Sequence, residues 1–132
     1  MGVSMRYGSG GETGNAAASK GGGIVVQRLW INQNPTSNFA AQSVSVDLTG
    51  YDYYEIQLRF STSNNYATEI KRFPVDEQPN QLTIVTLGQN RTGGRHVTYS
   101  IANKQLTFDA ASYNGATNNA YAIPLYVWGV KT

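Results

Sequence analysis

The chain has 132 residues, enough for one domain around one core, with ten Lys/Arg, eight Asp/Glu, one His and a formal net charge of +2. The cations are scattered, with Lys71-Arg72 and the pair Arg91 and Arg95 the closest, so the clustered footprint of a nucleic-acid binder is missing. The lack of cysteine excludes disulfides and thiolate metal sites. No run approaches the roughly 20 apolar residues of a spanning helix, so membrane insertion is not expected.

Residues 1–23, "MGVSMRYGSGGETGNAAASKGGG", are rich in Gly, Ser and Ala and have no apolar stretch of the secretory kind. They read as an extended arm that a neighbouring subunit would order. Residues 24–132 read as the folded domain. "GIVVQRLWI" is a β-branched and aromatic strand. Asn32 to Asn38 is a turn cluster, with Asn34-Pro35 biasing the chain away from helix. "FAAQS" has room for one helical turn. In "SVSVDL", Val44, Val46 and Leu48 share one face. "YDYYEIQLRFS" puts Tyr54, Ile56, Leu58 and Phe60 on one face and Tyr53, Glu55, Gln57 and Arg59 on the other. A turn at "TSNN" and the strand "YATEIKRF" complete a hairpin.

Pro74 and Pro79 bracket a loop, "QLTIVTL" is a short strand, and Gly88 to Gly94 is a loop. "RHVTYSI" alternates Val97, Tyr99 and Ile101 against His96, Thr98 and Ser100. Asn103-Lys104 reads as a two-residue turn before the strand "QLTFD". Ala110 to Tyr121 is a long loop of small residues and Asn. "AIPLYVWGVKT" is a last strand, with Pro124 expected only at an edge or a strand start. About eight short strands without a helical period predict an all-β antiparallel sandwich or jelly roll. Trp30, beside a β-branched run, and Tyr54, on the Ile56 and Leu58 face, are expected to pack.

Catalytic signatures are missing. The single His96 lies on the polar side of its strand, with no Ser or Cys nucleophile motif around it. No acid sits in an apolar setting that would raise its pKa, with Asp47 and Asp52 flanking a turn and Asp76 and Glu77 in the Pro-bracketed loop, so an enzyme is not expected and a small hydrolase is the weakest reading. No metal or cofactor is expected: there is no Asp-rich loop, and a Ca²⁺ site would have to be built from Asp76, Glu77 and backbone carbonyls. The composition does suit sugar, through aromatic faces and carboxamides on loops. Candidate ligand-binding residues are Asn64, Asn65 and Tyr66; Asn90 and Arg91; and Tyr113, Asn114, Asn118, Asn119 and Tyr121.

"LWINQNPTSNFAAQSVSVDLTGYDYYEI" resembles the opening of a module in virion proteins of tailed bacteriophages, mainly those of Gram-positive hosts. The shared positions are Leu29, Trp30, Asn32, Asn34, Phe39, Ala40, Ala41, Gln42, Val44, Leu48, Gly50, Tyr51 and Asp52. The closing pattern recurs at Arg95, Val97, Thr98, Phe108, Tyr113, Asn114, Gly115, Ala122, Ile123, Pro124, Trp128, Gly129, Val130 and Lys131. The chain departs from the pattern at Asn34-Pro35-Thr36, where one proline remains. The resemblance spans residues 24–132, carries no catalytic residue, and implies a structural protein of the virion: a head fibre, decoration protein, or tail-fibre or baseplate component. It also implies a homo-oligomer; residues 1–23 match nothing in the pattern and, as a flexible arm that orders on assembly, are expected to contact other virion proteins. A module recognising host-surface carbohydrate is the alternative.

Overall fold

The computed structural model of the chain describes residues 23–76, 82–86 and 93–132, with residues 64–67 and 82–86 described by their backbone. The expected arm lies outside the described residues, apart from Gly23. The strands are β1 (Val25–Ile31), β2 (Gln42–Ser45), β3 (Tyr53–Ser61), β4 (Asn64–Pro74), β5 (Leu82–Thr86), β6 (Gly93–Ser100), β7 (Gln105–Phe108), β8 (Ser112–Tyr113), β9 (Ala116–Thr117) and β10 (Tyr121–Lys131). They form two antiparallel sheets. One has the order β1-β10-β3-β4; the other runs β2-β7-β6-β8-β9, with β5 on β6. The chain is an all-β sandwich, and among the described residues no helix forms, including at "FAAQS".

Period-two patterning explains the core. Tyr54, Ile56 and Leu58 of β3 meet Val97 and Tyr99 of β6 and Leu106 and Phe108 of β7, all buried. Val46 and Leu48 are buried as expected, although the strand ends at Ser45. The Tyr99 hydroxyl explains this, because it donates to Val46 O (2.7 Å) and accepts from Leu48 N (3.2 Å). A side chain of the second sheet thus replaces the missing ladder bonds. Burial raises the pKa of this phenol, and a coulombic push from Asp47 adds to it, while the Leu48 N–H bond opposes the rise.

Several local expectations are corrected. Ile101 is 56% exposed and opens a four-residue connection, Ile101–Lys104, in which Lys104 takes φ +54°. The longer loop, with its last residue left-handed, lifts Ile101 out of phase with Tyr99. Pro124 sits in β10, between β1 and β3, and not at an edge. A register shift between Pro124 and Tyr126 accommodates it. The β1 ladder ends at Ile31, and there Asn32 takes over: its N–H donates to Leu125 O (2.9 Å) and its Nδ2 to Pro124 O (2.8 Å). Phe60 leaves the core row and is half-buried at one end of the sandwich.

On the outer face of the four-stranded sheet, register aligns Arg28, Trp128, Glu55 and Arg72 in one row, and Ile31, Tyr126, Gln57 and Ile70 in the next. Glu55 is only 2% exposed, yet Arg72 bonds it through both Nε (2.9 Å) and Nη2 (2.7 Å). This cross-strand pair keeps the buried Glu55 charge tolerable beside Trp128.

Gly129 is required by close approach. A Cβ there would lie 2.8 Å from Tyr51 Cδ1 and 2.9 Å from Leu29 Cδ1. Gly129→Ala is expected to destabilise the fold by about 1–3 kcal/mol through overpacking. Urea unfolding checks this, and an unchanged midpoint would show that Tyr51 and Leu29 yield freely.

Candidate functional site

The predicted site residues do not converge as a set. Asn64, Asn65 and Tyr66 belong to β4 and not to a loop, because the β3–β4 turn is only Thr62-Ser63. Asn90 and Arg91 lie outside the described residues. Tyr113, Asn114, Asn118, Asn119 and Tyr121 do come together, at one end of the sandwich.

The expected long loop there is a tight structure. Asn114 (φ +55°) and Gly115 (φ +83°) both take left-handed backbone, forming the two-residue hairpin that joins β8 to β9. Asn-Gly is the strongest short hairpin signal in a sequence, and it was there to be read. Asn118 Oδ1 accepts from Ala120 N (3.1 Å), and Asn118 N donates to Ala111 O (2.8 Å). Asn119 Oδ1 accepts from Ala111 N (2.9 Å), while Asn119 O receives Phe39 N (3.0 Å). These asparagines therefore build the turn, and their carboxamide oxygens are engaged.

The tyrosines join an aromatic cluster that sequence reading missed. Tyr113 and Tyr121 stack at 3.8 Å with planes 2° apart, and Phe60 meets both edge-on at 5.8 and 5.3 Å. Phe60 comes from one sheet and Tyr113 from the other, so the cluster closes the end of the sandwich. The two tyrosine rings present their faces to each other. Opposed parallel rings are packing more than a platform.

Arg95 organises this end. It is 1% exposed on the inner face of β6, in phase with Val97 and Tyr99. Its guanidinium donates to Ala122 O (3.0 Å), Asp109 O (2.7 Å) and Tyr121 O (3.2 Å), and lies 5.2 Å from the Phe39 ring centre. Burial pulls its pKa down to about 10, and the charge of Asp109 opposes the shift. It stays a cation at neutral pH. The carbonyls it gathers surround Ala122, held at φ +51°, a conformation an L-residue adopts only under constraint.

The charged groups elsewhere are tied to the scaffold. Asp52 accepts from Thr132 N and Oγ1 (both 2.8 Å), and these bonds hold its carboxyl below the usual range. With Tyr51, Tyr53, Pro74, Asp76 and Thr132 it lines an open cleft of about 450 Å³. An ionised, hydrogen-bonded Asp52 lacks the raised pKa of a general acid. Asp47 is held low chiefly by Thr49, with help from Lys104. His96 is exposed. Among the described residues no group of three His, Asp or Glu could hold a metal ion, and Glu77 lies outside them.

Arg95→Met is expected to lower stability by about 2–3 kcal/mol, because one buried and two part-buried carbonyls lose this donor. Denaturant unfolding measures it, and a loss under 1 kcal/mol would reject the organising role. Comparison with protein-family models, with curated proteins and with solved structures gives no match to this chain.

Proposed function

We propose that the chain is a structural protein of a tailed-bacteriophage virion, displayed as a head fibre, decoration protein, or tail-fibre or baseplate component. The observation that carries this reading is where the two resembling stretches lie. Asn32 of the first holds Pro124 of the last, Trp30 pairs with Val127, and Tyr51 packs on Gly129. Asp52 N donates to Val130 O (2.8 Å). Residues some 90 positions apart thus complete one another. Each is engaged in holding the sandwich. Positions that complete a fold in this way suit a building block of a larger assembly.

The outer face of the four-stranded sheet supports assembly. An antiparallel sheet that faces water is ordinarily polar on that side. Here Ile31 is 38% exposed and Ile70 42%, at the two ends of a row that runs Ile31, Tyr126, Gln57, Ile70. Tyr126 and Trp128 lie 5.8 Å apart, and Arg28 sits over the Tyr126 ring. Such a face suits packing between copies around a local axis.

Mass spectrometry of gradient-purified virions is expected to find the chain at stoichiometric abundance; its absence from them would sink the assignment. Light scattering of the purified chain is expected to show an oligomer that Ile31→Lys with Ile70→Lys returns to monomer. An oligomer that survives both changes would move the interface elsewhere.

A further inference from the structure

We infer that the cleft beside Trp30 is a binding site for one neutral sugar ring. Trp30 was expected to pack, and on one side it does, at 6.0 Å from both Phe39 and Phe108. Its other surroundings form an open cleft of about 260 Å³, with Phe39 and Val44 as further apolar walls. The rim is Gln33, Asn34, Asn38 and Gln42. No charged side chain lines it.

The state of the carboxamides separates this cleft from the Tyr113 end. There, Asn118 and Asn119 are engaged by backbone amides. Here only Asn32 is fully engaged, donating to Pro124 O and accepting from Asn34 N at 2.8 Å. Gln42 donates to Ala40 O at 3.0 Å. The side chains of Gln33, Asn34 and Asn38 make no hydrogen bond among the described residues. Each offers a donor pair and an acceptor.

An aromatic wall with carboxamides that both donate and accept is the complement of a pyranose. One face of that ring is C–H and apolar, and its rim carries hydroxyls that also do both. A phosphate or carboxylate ligand would find no cation. A cleft of this size lies near the lower end of ligand pockets, roughly 300–1,000 Å³, which fits a single ring. Fixing Asn32 on Pro124 anchors the rim to β10, so the site is carried by the scaffold.

The test uses the purified chain and does not depend on the virion assignment. In Trp128→Phe, Trp30 is the only tryptophan, and its fluorescence is titrated with the methyl glycosides of glucose, galactose, mannose, N-acetylglucosamine and N-acetylgalactosamine. Calorimetry on the unsubstituted chain repeats each titration without relying on that variant. At least one glycoside is expected to give saturable binding by both methods. Gln33→Ala with Asn38→Ala, both at exposed positions, should weaken it ten-fold or more, and Tyr113→Ala should leave it unchanged. The inference is overturned if no glycoside binds, if the Gln33 and Asn38 changes have no effect, or if N-acetylneuraminic acid binds as well as the neutral sugars.

Discussion

The guanidinium of Arg95 is the constraint on which one end of this sandwich depends. A buried cation is costly unless its donors are matched, and here carbonyl dipoles do the matching in place of a carboxylate. Three acceptors come from two places in the chain, Asp109 after β7 and the Tyr121-Ala122 entry to β10. Drawing those carbonyls to one point requires Ala122 to adopt a left-handed backbone. That turn sets where β10 begins, and β10 is the strand between β1 and β3. Phe39 closes the group from the β1–β2 connection, over the guanidinium. One side chain thereby links the second sheet, the start of the first sheet's central strand and a long connection.

This arrangement accounts for the spacing of the paired motif at residues 29–52 and 95–131. Its residues come from the first third and the last third of the domain, and they are contacts of one another. Phe39 N reaches Asn119 O, Asn32 reaches Pro124 and Leu125, and Tyr51 fills the space that Gly129 leaves. Substituting Asn32, Phe39, Tyr51 or Gly129 removes a bond or a fit from a partner far away in sequence. Such a pattern reports a fold's assembly, and it says little about a ligand.

How legible the structure was follows from how local each cause is. Alternation is local, so Tyr54, Ile56, Leu58, Val97 and Leu106 could be placed in the core from the sequence. The two positive φ values at Asn114-Gly115 are also local, and reading the dipeptide as a hairpin would have resolved the 110–121 segment. Arg95 shares phase with Val97 and Tyr99, which was readable. What made its burial possible, carbonyls at 109, 121 and 122, was not, because those groups meet it only in the folded chain. Pro124 in an inner strand has the same explanation: the register shift that accommodates it, and the Asn32 amide that caps its carbonyl from 92 positions away, arise only in the folded sheet. The candidate site moved for a related reason. Asn-rich composition looks alike whether the carboxamides fasten a turn or stand free, and only the hydrogen-bond pattern distinguishes them.

That distinction also relates the two surfaces. A sandwich in an assembly presents its sheet faces to neighbours and its ends and edges to solvent. Here Ile31, Tyr126, Trp128 and Ile70 lie on the outer face of the β1-β10-β3-β4 sheet, while the Trp30 cleft opens beside the β1–β2 connection. Val127, which pairs with Trp30, is buried in the core, and Trp128 next to it belongs to the outer row. Alternation along a single strand therefore sends one tryptophan's row outward and backs the other tryptophan's cleft. The two surfaces meet at Ile31, which stands in the outer row and also lines the cleft, so packing against another copy reaches the edge of the cleft and the two contacts share that residue.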